Sequence, residues 1–341
     1  MSVKEMLDHI RTLPEQLEYC LQLDYNDAVV LPKRDIKNVV VAGMGGSAIG
    51  GDVMHCSLGQ EMPVPVINNR DYHLPSFVGK DSLVFTVSYS GNTEETLSCF
   101  REGLQRGAQM VAITSGGQLE SLARESQVSL IKIPSGVPPR AALGYLFTPL
   151  ALMVEQAGLV REIRNQVEET IGILKEMREE LLALDPPEAN PAWKIALDIQ
   201  DCIPVIWAGG SILEVAAMRW KGQINENAKA PAYFNCFPEL NHNEFTGLEG
   251  PADITRRIAV IVLQDKLQNP GIARRIKTTN DMLKDRIKGF NFVSSRGNSI
   301  MARLFSLMYA GDFTSVYLAQ LYNIDPVPVD IIEELKKRLK N

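Results

Sequence analysis

The sequence predicts an α/β chain of two domains, each a mostly parallel, five-stranded sheet flanked by helices. Short β-branched runs alternate with longer amphipathic stretches, the pattern of parallel strands covered by crossover helices. The chain has 341 residues, about two domains at roughly 150 each. Two segments also echo one another as strand, glycine turn, serine and apolar helix: VVVAGMGGSAIGG (Val39–Gly51) and PVIWAGGSILEVA (Pro204–Ala216).

Taken in order, a charged N-terminal stretch containing His9 reads as a helix. The runs Asn38–Ala42, Val64–Asn68, Ser82–Val87, Gln109–Thr114 and Ser129–Ile133 read as buried strands. Their starts lie roughly 18 to 27 residues apart, which leaves room for a helix between each pair. Val160–Leu184 has helical apolar spacing, is rich in Glu, and stops at Pro186-Pro187, so it reads as a connecting helix. The second half restarts with strands at Ile203–Ala208, Ala232–Asn235, Arg257–Leu263 and Asn291–Ser294. It closes with helices over Ser299–Tyr322 and Pro328–Leu339. The expected division is residues 1–159 and 160–341.

Composition narrows the function classes. With 35 basic against 41 acidic residues the net charge is -6, and no long basic run offers the clustered cations that a nucleic-acid backbone requires. The longest apolar stretch, Ala141–Val154, is broken by Gly144, Thr148 and Pro149 and falls short of the roughly 20 residues that cross a bilayer, so no membrane partner is expected. The charged N-terminus lacks the apolar core of a secretory signal, which points to a cytoplasmic chain. Five widely spaced cysteines without a C-x-x-C pair signal neither a disulfide framework nor zinc. No P-loop or calcium spacing occurs, and neither a metal nor a cofactor is expected.

Three strand ends carry candidate chemistry. Gly43-Met44-Gly45-Gly46-Ser47 follows a strand and opens a helix, so backbone N–H groups and the helix dipole favour an anion there. Ser88-Tyr89-Ser90-Gly91-Asn92-Thr93 has the same placement and adds hydroxyls, which suits a terminal monophosphate. Alternatively, Asn92 or Thr93 is simply a helix cap. A dinucleotide site would need an acidic residue near the end of the second strand, and Asp71 is a weak fit. Arg140, after Pro138-Pro139, reads as a cation at the last strand's edge, able to stabilise an oxyanion or merely solvated. In the second half Glu226 sits among amides at a helix end. His242 lies in the polar stretch Glu239–Glu244, and a Glu and a His close in sequence could shuttle protons.

The blocks VAGMGGSAIGGD, TVSYSGNTEET, PSGVPPRAALGY, NENAKAPA and ELNHNE, in this order over nearly the whole chain, resemble the bifunctional phosphoglucose/phosphomannose isomerases. That family is a branch of the phosphoglucose isomerase superfamily built from two sugar-isomerase (SIS) domains. The resemblance implies that Gly45, Gly46, Ser47, Ser88, Ser90 and Thr93 hold a sugar 6-phosphate and that Arg140 stabilises an enediolate. By the same resemblance Glu226 moves a proton between C1 and C2, and His242, donated across a homodimer interface, assists ring opening. A lysine on the last helix, Lys336 or its neighbour Lys337, reaches the substrate. The family's threonine linked to the mannose epimer has no clear counterpart: Val327 stands near its place, and Thr314 is the nearest other candidate. Weighed against this are a non-catalytic sugar-phosphate sensor, a glucosamine-phosphate synthase, which needs a glutaminase domain with an N-terminal cysteine nucleophile whereas the first cysteine here is Cys20, and a nicotinamide-dependent dehydrogenase.

Overall fold

The computed structural model describes residues 2–25, 35–185 and 187–339, so Pro186 of the expected breaker lies outside the described residues. Helices α1 (Ser2–Ile10) and α2 (Leu13–Gln22) precede β1 (Asn38–Ala42), α3 (Ile49–Leu58), β2 (Val66–Asn69) and β3 (Ser82–Ser88). Then come α4 (Glu94–Gln105), β4 (Gln109–Thr114), α5 (Gly117–Glu125), β5 (Ser129–Lys132), α6 (Leu143–Gln156) and α7 (Ile163–Leu182). The second half runs α8 (Pro191–Ile199), β6 (Ile203–Ala208), α9 (Glu214–Asn227), β7 (Tyr233–Cys236) and β8 (Ile258–Gln264). It ends with α10 (Pro270–Leu283), β9 (Gly289–Ser294), α11 (Ile300–Leu321) and α12 (Asp330–Leu339). Among the described residues no helix is long and apolar enough to cross a membrane.

Internal contacts divide the chain into two compact units. One is Thr12–Lys175 with Gly297–Leu304; the other is Met1–Arg11, Glu176–Arg296 and Phe305–Asn341. This differs from the expected division at 159/160, because α7 is one continuous helix that supplies residues to both units.

In the first unit five parallel strands lie in the order β2-β1-β3-β4-β5. Val40, Ala42, Val84, Met110 and Ala112 on one face pack against Leu97 and Phe100 of α4 and Leu119 and Ala123 of α5. Val39, Val41, Leu83, Phe85, Val111 and Ile113 on the other face are equally buried. Burial on both faces explains why the strands read as continuous apolar runs. Gly50 and Gly51 serve packing: an added Cβ would lie 2.9 Å from the Leu146 carbonyl oxygen at the first and 2.9 Å from the Val41 side chain at the second.

The second unit repeats the scheme with order β7-β6-β8-β9, again all parallel. Among the described residues its sheet has four strands, which corrects the expectation of five. After β9 the chain passes directly into the 22-residue α11, and no further β-branched run remains to add an edge. Trp207, Val205, Val260 and Val262 form the centre of its core with Phe237, Leu240 and Ile276. In both sheets the first strand sits between the second and third, so the echo seen in the sequence marks the corresponding strand-to-helix turn of each.

Candidate active site

The first unit's sheet reverses direction of winding between β1 and β3, and the crevice beyond their carboxyl ends is where open α/β sheets bind ligands. The two loops singled out in the sequence flank that crevice. Gly43 lies so close to β3 that a Cβ would stand 2.9 Å from the Val87 carbonyl oxygen. Gly46 meets the turn that carries Arg140, where a Cβ would be 2.9 Å from the Pro139 carbonyl oxygen and 3.2 Å from the Arg140 nitrogen. Arg140 is 6% exposed on the short Pro139–Ala141 turn. The structure thus brings the Gly45–Ser47 loop and Arg140 together.

The hydroxyls are joined in one network. Ser47 Oγ accepts from the Tyr89 backbone N–H at 3.0 Å, linking the first loop to the second. Ser88 Oγ accepts from Gly91 N–H at 3.0 Å and shares a hydrogen bond of 2.9 Å with Thr93 Oγ1. Thr93 occupies the N-cap of α4 but makes no side-chain capping bond, which disfavours the simple helix-cap alternative. Ser90 Oγ, exposed, accepts from Asn92 N–H at 3.3 Å. Among the described residues Ser47 and Ser90 act only as acceptors, and Ser88 and Thr93 use one proton between them. Each of these three arrangements therefore keeps a hydroxyl hydrogen for an acceptor-rich ligand.

Tyr89, which the sequence reading passed over, ties the loops together. Its hydroxyl accepts from Val137 N–H at 3.2 Å in the approach to Arg140, and its carbonyl oxygen accepts from Ser115 Oγ at 2.6 Å. Burial pushes its phenol above the ordinary range, so it stays protonated. The start of α5, after β4, buttresses the second loop: Leu119 N–H donates to the Gly91 carbonyl at 2.9 Å.

In the second unit Glu226 is half-buried in the last turn of α9. The buried side of this helix is stapled to α11. Arg219 makes a two-pronged pair with Asp312 at 2.9 and 2.7 Å, Gln223 donates to Asp312 at 2.8 Å, and Asn227 donates to Ser315 Oγ at 2.9 Å. Burial raises the Asp312 carboxyl, opposed by the Arg219 charge. Lys229 adopts a positive φ of 54° and its Nζ donates to the Glu226 carbonyl oxygen at 2.6 Å, closing the helix end.

His242 is exposed on the Glu239–His242 turn that follows β7. Glu226 precedes the start of β7 and His242 follows its end, so this unit does not bring the two together. Nor do the nearby carboxylates face His242 as a shuttle. Glu239 accepts from Asn243 at 3.0 Å, and Glu244 accepts from Trp207 and Asn235. Lys336 and Lys337 are both exposed on α12. Thr314 is fully buried and donates its hydroxyl to the Ala310 carbonyl of its own helix at 2.8 Å, which removes it as a residue that touches a sugar. Val327 lies in the turn before α12, its N–H bonded to Asp325 at 2.9 Å. Among the described residues no three His, Cys, Asp or Glu side chains are grouped to hold a metal.

Residues 34–148 match the SIS domain family, and residues 188–339 match the family described as bacterial phospho-glucose isomerase C-terminal SIS domain. A bifunctional phosphoglucose/phosphomannose isomerase of Caldicellulosiruptor bescii is 43% identical over 334 residues, 98% of each chain. One of Aquifex aeolicus is 36% identical, covering 89% of this chain and 91% of its own. Among solved structures, a glucose-6-phosphate isomerase like protein from Thermus thermophilus shares the fold with a TM-score of 0.62 at 18% identity, covering 99% of both chains.

Proposed function

The chain belongs to the bifunctional phosphoglucose/phosphomannose isomerases, and from that premise we propose that it interconverts glucose 6-phosphate and mannose 6-phosphate with fructose 6-phosphate. The observation that carries the reading is the set of hydroxyl donors from Ser47, Ser90 and the Ser88–Thr93 pair, left unspent beside the Arg140 turn. Together with the exposed Gly45 and the Gly46 backbone they suit a phosphate's oxygens without a metal.

With the phosphate held there, the aldose ring opens and the Glu226 carboxylate takes the C2 proton. The C–H electrons form a C1=C2 bond and the aldehyde oxygen becomes an oxyanion, giving a cis-enediolate stabilised by Arg140. Glu226 returns the proton to C1 as the C2 hydroxyl proton passes to the C1 oxyanion, leaving a C1 alcohol and a C2 ketone. The intermediate is planar at C2, so both epimers converge on one ketose. His242 assists ring opening. Because it lies at the far end of β7 from Glu226, a neighbouring copy supplies it, and the working form is a homodimer in the cytoplasm. On α12 Lys336 follows Ile332 by one turn at the edge of the apolar face, whereas Lys337 follows Glu333 on the charged face. This register favours Lys336 as the substrate lysine.

Glu226→Gln is expected to lower turnover on both aldose phosphates by about two to four powers of ten while sugar-phosphate binding persists. Turnover near that of the wild type would remove Glu226 from the mechanism. Incubation with fructose 6-phosphate in heavy water separates an enzyme, which places deuterium at C2 of the aldose, from a sensor, which places none.

A further inference from the structure

The turn that carries His242 is fastened to the sheet by the carboxylate two residues beyond it. Glu244 Oε1 accepts from Trp207 Nε1 at 2.7 Å and Oε2 accepts from Asn235 Nδ2 at 2.7 Å. Trp207 and Asn235 are register partners on β6 and β7, so one carboxylate spans a single rung of the sheet. Asn235 Oδ1 accepts from Cys236 N–H at 2.8 Å, which fixes its amide with Nδ2 toward Glu244. On the other side of His242, Leu240 is fully buried in the core that contains Trp207 and Phe237. Asn243 Oδ1 accepts from Glu244 N–H at 2.6 Å and its Nδ2 donates to Glu239 at 3.0 Å. His242 is thus an exposed ring between two anchored neighbours, and the stronger anchor requires oxygens on both prongs.

We propose that Glu244 is the positioning residue for His242, holding the turn in the one arrangement that presents the imidazole to a neighbouring copy's substrate. The inference rests on the role of His242 given above. Replacing Glu244 by Gln leaves the shape but sets an N–H₂ against the indole or the Asn235 amide, both of which are donors.

Two measurements on the full-length chain test it. Amide hydrogen exchange over residues 239–247 is expected to quicken about tenfold or more in Glu244→Gln, and in Trp207→Phe, which removes one donor while keeping an aromatic ring. Unchanged exchange in both variants overturns the proposal. In the second, Glu244→Gln is expected to cut kcat/KM about 10- to 100-fold in the wild-type background, and less than about twofold when His242 is already Ala. Equal losses in the two backgrounds make Glu244 a merely structural residue and also overturn it. If His242→Ala alone retains full activity, the reading of His242 fails, and the exchange measurement still decides whether the fork holds the turn.

Discussion

Gly45 and Gly46 are adjacent and chemically identical, yet they are glycines for different reasons. Gly45 has a φ of +51° with open space around it, and Gly46 is confined by the Pro139 carbonyl at 2.9 Å from a would-be Cβ. Alanine at 45 strains only its own backbone, a cost of about 1–2 kcal/mol. At 46 it pushes apart two backbone segments, one of which carries Arg140. Gly46→Ala is therefore expected to raise KM for the sugar phosphate and lower kcat, while Gly45→Ala acts mainly on KM, and steady-state kinetics on the two variants distinguishes them. The glycines and hydroxyls were legible because they are contiguous blocks at strand ends. Tyr89 was not, since its partner Val137 lies 48 residues away and nothing local signals the contact. A second residue-scale effect concerns acid. Glu102 accepts from the Leu74 backbone N–H at 2.7 Å and pairs with Arg106, and the Leu74 bond foremost holds its carboxyl below the usual value of 4.5. As pH falls the unfolded chain binds this proton first. The stabilisation is full above about pH 4.5 and drains away as pH drops through the depressed folded value. Urea midpoints from pH 7 to pH 3 are expected to fall less steeply for Glu102→Gln than for the wild type.

At the scale of elements, the two helices α9 and α11 are held by a polar seam rather than by apolar ridges alone. Arg219 and Asp312 have side chains 5% and 3% exposed, so neutralising Asp312 takes a buried counter-charge away from the guanidinium. Asp312→Asn should cost about 3–5 kcal/mol in chemical unfolding. Because the seam ends at Asn227, next to Glu226, it should also lower turnover under conditions where the variant remains folded; a variant of wild-type stability would mean that the seam does not depend on the Asp312 charge. Such a seam was hidden in the sequence. Periodicity finds a helix from its apolar face, but the partner of a buried Asp is set by a second helix about 90 residues distant. Gly311 shows the same limit, for a Cβ there would stand 2.5 Å from the Trp220 indole. The central strands β1, β3, β4, β6 and β8, by contrast, were legible to within about one residue because burial on both faces writes them as near-continuous apolar runs. The fifth strand expected in the second sheet was a count borrowed from the first half, and the sequence between β9 and α11 holds no run to support it.

For the whole molecule, the homodimer proposed above bears on two features. The α12 helix exposes Ile331, Leu335 and Leu339 at 84%, 56% and 77%, and His242 stands at the opposite end of β7 from Glu226. A homodimer that shares its catalytic residues accounts for the second, and covering the α12 face accounts for the first. Such sharing has a consequence that no single-chain site would have. Glu226→Gln and His242→Ala are each expected to keep only a small residual activity alone, but a subunit-exchanged mixture in equal amounts places an intact Glu226 opposite an intact His242 in one site of every mixed dimer. Half of the dimers are mixed under random exchange, so about a quarter of the wild-type activity should return. If both residues act from the same chain, every site in the mixture lacks one of them and no activity returns. Native mass spectrometry on the same samples, which resolves the mixed dimer from the two homodimers by the different masses of the two variants, checks that exchange occurred and leaves the recovered fraction as a direct count of shared sites.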